Sequence, residues 1–161
     1  MSHDQLSQRV YERAVLFFKS GVAQDSLVTQ DGKVEKPIPI HDPSGNIVSW
    51  FIGITIGEKL ASFMQIDNDL RLLRYSTFQR VPESLVGCPS AKTWLNPKTL
   101  TELATTLAKP DEELAPPVLT YDRSPSRIVW SVEATDKDGK KRTIYVAGEY
   151  VYSKRGNDNE F

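Results

Sequence analysis

Few side chains in this chain could act as a nucleophile or as a base. It has one cysteine, Cys88, and two histidines, His3 and His41. An imidazole close to a thiol can take its proton and turn the sulfur into a nucleophile. His3 lies at the N-terminal end, so Cys88 and His41 are the pair that could form such a dyad. Neither residue sits in a catalytic motif, and we predict an inert, partly buried thiol and no catalytic residue.

A second interpretation of His41 involves its neighbour Asp42, because a carboxylate can orient an imidazole. Side chains that are adjacent on a strand point to opposite faces, however, which makes this pairing awkward. We therefore interpret His41 as a surface residue beside a turn, and retain it as a candidate binding residue.

Metal and phosphate sites have little support in the sequence. The run Asp67-Asn68-Asp69 resembles the start of a calcium loop, but the residues that follow supply neither the remaining ligands nor the glycine. The run 136–139 fails for the same reason. Gly53 and Gly57 are not followed by the helix that a phosphate loop needs. We predict no metal and no cofactor.

The charge balance argues against a nucleic-acid partner. Lys and Arg number 20 against 21 Asp and Glu, for a net charge of −1, whereas phosphate neutralisation usually needs a clear basic excess. The longest apolar stretches are far shorter than the ~20 residues that cross a bilayer. The polar start, residues 1–5, lacks the pattern of a secretory signal, and a lone cysteine cannot form an internal disulfide. We expect a cytoplasmic protein that binds neither membranes nor nucleic acid.

Two passages of similar pattern, 37–50 and 117–130, show how the elements around these residues are organised. In each, an apolar stretch after proline leads into an Asp-x-Ser turn, and a tryptophan follows the aspartate by eight residues. Hairpin proteins commonly have Asp and Ser in their turns, so duplication and convergence are both open. The matched residues are Asp42 with Asp122, Ser44 with Ser124, and Trp50 with Trp130.

In the first half, apolar residues at helical spacing predict a helix over 4–19, whereas the polar segment 24–36 is typical of a loop. The strands that follow form an antiparallel meander with short links. Gly57-Glu58 puts glycine first in a two-residue turn, as a type II′ hairpin prefers. The predicted strands are 37–41, 47–56, 60–66 and 70–78.

In the second half, a helix is predicted to begin at Asn96-Pro97, because asparagine is a good N-cap and proline suits the first helical position. It should end at Lys109-Pro110 and be followed by an acidic link at 111–115. On the last two strands, alternation predicts an apolar face with Trp130 and a polar face with Ser131 and Glu133. The predicted strands are 117–121, 127–135 and 142–152.

These elements predict an α+β fold of two helix-plus-meander units, with the helices packed on one face of antiparallel sheet. We expect a single compact domain over 1–161, with half-repeats at 4–79 and 97–152 that could be a tandem duplication. The passage 80–96 is an irregular connection without a counterpart in the repeat. The polar tail 153–161 is expected to fray.

Each half is a helix followed by a three-stranded meander, and its strands contain the segments Ile47-Val48-Ser49-Trp50 with Phe63-Met64-Gln65-Ile66-Asp67, and Ile128-Val129-Trp130 with Thr143-Ile144-Tyr145-Val146. This pattern resembles the PepSY-type module, and is similar to the propeptide domains of streptopain-like cysteine peptidases. With the helices, the matching segments cover most of 4–152. The resemblance implies a cystatin-like sheet-and-helix scaffold that binds and inhibits peptidases. The chain departs from the family in showing no secretion signal and no adjoining peptidase domain.

The leading hypothesis is a non-catalytic binding or regulatory module that contacts a protein partner, in the manner of a peptidase inhibitor. An edge strand such as 37–41 is a place where a partner could add. Trp94, in the connection, either anchors a partner or plugs the gap between sheet and helix. The alternative is a small-molecule-binding protein or enzyme with a pocket between sheet and helices, lined by His41, Tyr75, Cys88 and Tyr121.

A third hypothesis is a structural role as a homodimer. The second face of the sheet is unusually apolar for a surface that meets water, so two protomers could pack through it. The residues predicted on this face are Phe51, Phe63, Leu73 and Tyr75.

Overall fold

A computed structural model describes residues 2–154 of the chain. They form four α-helices and two five-stranded antiparallel sheets, arranged as two helix-plus-sheet units, which confirms the predicted α+β class. The contacts divide the chain into two compact units, and the single compact domain over 1–161 stays a prediction. Within the described residues, the first unit comprises 2–40 and 46–91, and the second comprises 41–45 and 92–154.

The first unit begins with helix α1, His3–Lys19. Ser2 is its N-cap: the Ser2 hydroxyl accepts the N–H of Gln5, and the Gln5 side chain accepts the N–H of Ser2. This capping box satisfies two N–H groups at the start of the helix. Val10 and Ala14 are fully buried in the core that the helix forms with the sheet. The predicted bounds, 4–19, are therefore correct to within one residue.

The sheet of the first unit contains β1 (Lys33–Val34), β2 (Ile38–His41), β3 (Ile47–Ile56), β4 (Lys59–Asp67) and β5 (Leu72–Thr77). β3 pairs with β4 on one edge and with both short strands on the other, and β5 flanks β4. The predicted turn at Gly57-Glu58 joins β3 to β4. Gly57 has a φ of +57°, which glycine adopts without the steric cost of a Cβ.

The segment 24–36, predicted as a loop, contains β1 and a short helix, α2 (Ser26–Asp31). The Asp25 carboxylate caps this helix by accepting two N–H groups of its first turn. It also accepts the N–H of Glu83 at 2.6 Å, and this hydrogen bond is the main cause that lowers the pKa of Asp25. Elements this short show no period, so the sequence pattern could not predict them.

The second face of this sheet does not offer the exposed patch predicted for a homodimer. Phe51 is fully buried and Phe63 is 7% exposed within the single chain, and their rings stack with centroids 4.7 Å apart. Tyr75 lies on the helix side, opposite Met64 in the ladder, and packs against that core. Of the four predicted residues, Leu73 is the one that is largely exposed. A homodimer stays a prediction, although this face lacks the exposed patch that was predicted to form it.

The second unit contains helix α4, preceded by a short helix, and five strands. Asn96 caps α4 as predicted, by accepting the N–H of Lys98, and the helix buries Leu100 and Ala104. α4 ends at Thr105, before the predicted Lys109-Pro110. The elements are α3 (Ala91–Leu95), α4 (Pro97–Thr105), β6 (Glu113–Leu114), β7 (Val118–Tyr121), β8 (Ile128–Thr135), β9 (Lys141–Ala147) and β10 (Tyr150–Lys154). The sheet order is β10-β9-β8-β6, and β7 pairs with β8 on the same edge as β6.

The run 142–152, predicted as one strand, is two strands. β9 ends at Ala147, and Gly148-Glu149 turns the chain so that Tyr150 pairs with Ala147. Gly148 has a φ of +66°, the left-handed conformation that a two-residue hairpin turn needs at its first position. Because the same dipeptide forms the turn at Gly57-Glu58, the signal for this turn was present in the sequence.

The acidic link 111–115 is ordered by an ion pair. The Arg142 guanidinium donates two hydrogen bonds to the Glu112 carboxylate, at 2.7 and 2.8 Å, and a third to the carbonyl of Leu107 just beyond α4. The Arg142 bonds, and then the N–H of Lys109, lower the pKa of Glu112 to about 2. Arg142 lies opposite Ala134 in the ladder, so this is the sheet face that carries the helix.

The predicted irregular connection, 80–96, consists of turns followed by α3. The N–H of Leu60 donates to the carbonyl of Pro89 at 2.9 Å, which ties the end of the turns to β4. In the predicted tail, Ser153 and Lys154 belong to β10, and 155–161 lie outside the described residues.

The two sheets have equivalent strand registers. Trp50 pairs with Ile66 and Trp130 pairs with Val146, so both partners differ by 80 in residue number. This agreement favours duplication, which stays a prediction. The same difference of 80 relates Lys33↔Thr55 to Glu113↔Thr135, and Ile52↔Met64 to Val132↔Ile144.

Candidate functional site

A cavity of about 680 Å³ lies in the second unit. Its volume falls within the roughly 300–1,000 Å³ of pockets that hold small ligands. Strands β7, β8 and β9 and the turn 41–45 form it, and all of its lining residues belong to this unit. Its ionisable and aromatic side chains are His41, Asp42, Tyr121, Asp122, Arg123, Glu133 and Tyr145.

The floor of the cavity is the sheet face that points away from α4. Ser131 and Glu133 on β8 line it, and they alternate with Trp130, which is buried on the helix side. Tyr145 lies beside Ser131 on β9 and continues the floor. The cavity is therefore on the face that the sequence predicted to be polar, whereas the predicted pocket lay between sheet and helices.

One wall of the cavity is the turn 41–45. The Thr120 hydroxyl donates to the carbonyl of His41 at 2.6 Å and ties the turn to β7. The Asp42 carboxylate accepts the N–H of Ser44 at 2.9 Å, an Asx turn that fixes the shape of the wall. The Nδ1 atom of His41 is buried, and none of the described residues provides it with a hydrogen-bond partner.

Asp122, Tyr145 and Tyr152 form a polar cluster beside the cavity. The Tyr152 hydroxyl donates to Asp122 at 2.7 Å, and its ring stacks on Tyr145 with centroids 5.2 Å apart. Burial, followed by the hydrogen bond to Asp122 and its charge, raises the pKa of Tyr152 to about 12. Burial, followed by the Asp122 charge, also raises the pKa of Tyr145. Since Asp122 is only 3% exposed, its charge is felt strongly by both rings.

We expect the free energy of unfolding to fall as the pH rises from about 10 to about 12. The fold favours the neutral form of Tyr152, so its contribution is complete below the ordinary pKa of 10 and is lost as the pH passes about 12. The loss should be roughly 1 kcal/mol, because solvent screening reduces the full effect of the shift. Denaturant unfolding across this pH range measures it.

Tyr152→Phe should remove this part of the alkaline loss, because phenylalanine has no proton to lose. The control is Tyr150→Phe, which changes a side chain that is 80% exposed and should leave the pH dependence of the wild type. The same pH dependence in both variants would contradict the expectation.

The structure separates the five residues that the sequence predicted to bind a ligand. His41 and Tyr121 line the cavity. Tyr75 and Cys88 belong to the first unit, where Tyr75 is half-buried beside the core and Cys88 is 4% exposed. Trp94 belongs to the second unit but is not among the residues that line the cavity. Two of the five thus meet at one site.

Cys88 is not arranged as a nucleophile. Burial raises the pKa of its thiol, and the charge of Lys59 offsets only part of this effect. A reactive thiol requires the opposite shift. The Lys59 ammonium also lies 3.4 Å from the Cys88 carbonyl oxygen, to which it donates, so its first role is to hold the main chain.

Trp94 is a packing residue in this structure. Its side chain is 8% exposed, and its ring meets that of Trp130 edge to face with centroids 6.2 Å apart. The indole N–H of Trp130 donates to the carbonyl of Trp94 at 2.9 Å. The burial of Trp94 favours the hypothesis that it plugs the gap between sheet and helix over the hypothesis that it anchors a partner.

The sequence pattern did not single out Asp122, Glu133 and Tyr145 as site residues. It favoured a turn role for Asp122, and that role does not require burial. The available signal for Glu133 and Tyr145 was alternation, which puts them on the polar face of β8 and β9. A polar face that carries a tyrosine and a carboxylate side by side was therefore the clue to this site.

No family model, curated protein or solved structure matches this chain. The resemblance to the PepSY-type module consequently stays a prediction. Within residues 2–154, no helix combines the length and apolar composition needed to cross a membrane. In the same part of the chain, no group of three or more His, Cys, Asp or Glu side chains is placed to hold a metal ion.

Proposed function

We propose that this protein is a non-catalytic binding module whose ligand occupies the cavity of the second unit. The observation that carries the proposal is the cavity of about 680 Å³, which His41 and Tyr121 both line. Ligand pockets combine apolar walls with a few convergent polar groups. Here Pro116 and Val118 supply apolar surface, and the carboxylates and hydroxyls supply the polar groups.

Two of the hydroxyl groups that line the cavity, those of Thr120 and Ser131, favour binding over nucleophilic catalysis. The Thr120 hydroxyl donates to the His41 carbonyl at 2.6 Å, and the Ser131 hydroxyl donates to the Val118 carbonyl at 3.1 Å. A nucleophilic hydroxyl must give its proton to a base. Both of these protons are instead held by main-chain carbonyls, so the hydroxyls position the strands and the wall.

The proposal covers a side chain of a partner protein, as in a regulatory or peptidase-inhibiting module, and a free small molecule. The resemblance to PepSY-type modules supports the first kind of ligand. The concave site supports the second, since small ligands bind in cavities of this size. We propose, as parts of the same hypothesis, that the partner protein is a peptidase and that the protein is located in the cytoplasm.

An NMR fragment screen against the whole chain tests this function. We expect binding fragments to shift the amide signals of β7, β8, β9 and the turn 41–45. Thr143→Trp should weaken or abolish these shifts, because Thr143 lines the cavity and an indole there obstructs it. Tyr150→Trp, which changes an exposed residue outside the lining, should leave them unchanged.

Two results would overturn the proposed function: a screen without a hit on these strands, and hits whose affinity is the same in Thr143→Trp as in the wild type. Should Thr143→Trp fail to fold, Val118→Trp blocks the same cavity from a position that is 38% exposed. A dispersed amide spectrum establishes that each variant is folded.

A further inference from the structure

We propose that Asp138 is a site of spontaneous covalent modification, at which the aspartate cyclises onto the main-chain nitrogen of Gly139 and reopens as isoaspartate. The chain contains two Asp-Gly bonds, Asp31-Gly32 and Asp138-Gly139. The residue types at the two bonds are identical, so the dipeptide alone does not distinguish them. The local structure does, because one bond ends a packed helix and the other lies in the turn between β8 and β9.

The reaction needs no partner except water. The Gly139 nitrogen attacks Cγ of the protonated Asp138 carboxyl group, an N–C bond forms, and the carboxyl hydroxyl leaves with the amide hydrogen as one water molecule. The attack is intramolecular, and glycine has no Cβ to hinder the approach of its nitrogen. Water then adds to the main-chain carbonyl of the five-membered ring and breaks the original peptide bond. The chain now continues through the former side chain of Asp138, and the former main-chain carbonyl is a free carboxylate.

The turn at Asp138 leaves room for this ring closure. Asp138 and Gly139 are both exposed, and a Cβ placed on Gly139 would meet no atom within 4 Å. The attacking nitrogen donates to the carbonyl of Asp136 at 3.0 Å, a hydrogen bond that lies within the turn itself. Exposed loop tips open locally at a small cost in free energy. The peptide between Asp138 and Gly139 can therefore rotate without any change in the core.

The Asp31-Gly32 bond is held much more firmly. Asp31 is the last residue of α2, and the N–H of Gly32 donates to the carbonyl of Val28 at 2.8 Å. Ring closure requires the ψ angle of Asp31 to leave the helical range, which breaks this hydrogen bond and moves Gly32. Gly32 has no space to move, since its Cβ would overlap the Val28 oxygen and lie 2.9 Å from Cγ2 of Ile54. Cyclisation at Asp31 thus requires α2 to separate from β3.

The product also fits the turn at Asp138. Isoaspartate lengthens the main chain by one carbon atom. The ladder between β8 and β9 ends at the pair Thr135 and Lys141, so this atom is added outside the paired residues. The N–H of Asp136 donates to the carbonyl of Lys140 at 2.9 Å and closes the base of the turn. We expect the modification to change the tip of the hairpin and to leave both strands in place.

Incubation in water enriched in heavy oxygen measures the reaction at each bond. The full chain is kept at physiological temperature and mildly acidic pH, where part of the aspartate is protonated. Each passage through the ring adds one heavy oxygen atom. Digestion at glutamate in ordinary water then releases the peptides 134–149 and 13–35, and mass spectrometry of their fragments locates the label. We expect label at Asp138 to accumulate at least about tenfold faster than label at Asp31.

Two controls separate the effect of the fold from that of the sequence. Asp138→Ser removes the carboxyl group from an exposed position and should leave the peptide 134–149 without label. In guanidinium chloride, unfolding removes the hydrogen bond and the packing that protect Gly32. Asp31 and Asp138 should then be labelled at similar rates.

Four results would overturn the proposal. They are labelling of Asp31 in the folded chain as fast as that of Asp138, a peptide 134–149 that stays unlabelled in the folded chain, label that persists in Asp138→Ser, and a preference for Asp138 that is equally large in guanidinium chloride. The last would assign the preference to neighbouring residues in the sequence and not to the fold. Asp138 is not among the residues that line the cavity, so these results leave the proposed function untouched.

Discussion

Replacing Trp130 with alanine is expected to lower the free energy of unfolding by about 3–5 kcal/mol, the usual cost of truncating a large buried aromatic residue. Trp130 is 5% exposed and sits on the central strand of the second sheet, with its ring against Trp94. Its indole N–H also donates to the Trp94 carbonyl. Alanine therefore leaves a void and removes a buried hydrogen bond at the same position. The shift of the urea midpoint at constant slope measures the loss.

Two variants show whether the core position of Trp130 is the cause. Trp130→Phe keeps most of the ring volume but has no N–H, so it should cost about 1–2 kcal/mol. Tyr150→Ala removes an aromatic side chain that is 80% exposed on the same sheet and should stay within about 0.5 kcal/mol of the wild type. If Trp130→Ala is no more destabilising than Tyr150→Ala, its role as a core anchor is wrong.

Elements with a long hydrophobic period could be predicted from the sequence. The helix predicted over 4–19 and the strand predicted over 47–56 match α1 and β3 to within one residue. The helix α2 could not be predicted, because its six residues show no period. Its cap, Asp25, also holds Glu83, which is 58 residues away in the sequence, and such a contact leaves no local pattern.

The faces of the strands were harder to predict than the strands themselves. The ladder between β4 and β5 shifts register between Gln65 and Ile66, and the shift interrupts the alternation of β5. Tyr75 consequently lies opposite Met64 on the helix side. A shift of one residue moves the side chains that follow to the other face, and nothing in the composition of β5 marks where it occurs.

The candidate site could be predicted only in part, because contacts between distant segments assemble it. His41 and Tyr121 were candidates by residue type, but the bond that brings the turn to β7 joins residues 79 apart in sequence. Asp122 looks like a turn former from its neighbours, yet its carboxylate accepts from Tyr152, 30 residues later. Tyr152 reaches Asp122 because the chain turns at Gly148-Glu149. The prediction of a single strand over 142–152 did not include this turn.

Gly32→Ala is expected to lower the free energy of unfolding by about 3 kcal/mol, at the upper end of the usual cost of overpacking a core. Backbone strain is not the reason, since Gly32 has a φ of −70° that any residue adopts. The reason is space. A Cβ would overlap the carbonyl oxygen of Val28 and would lie 2.9 Å from Cγ2 of Ile54 and 3.2 Å from Cζ of Phe18. Val28 and Ile54 are fully buried, so neither can move aside without disturbing the core.

The matched control is Gly45→Asn, because a Cβ at Gly45 has no atom within 4 Å and asparagine tolerates its φ of +89°. It should cost about 1 kcal/mol or less. An alanine at position 32 would push α2 away from β3, so hydrogen exchange should increase at the α2 amides before it increases at β4. If Gly32→Ala unfolds at the same denaturant concentration as Gly45→Asn, α2 does not pack on β3 as closely as described, and the small polar helix contributes little to the core of the first unit.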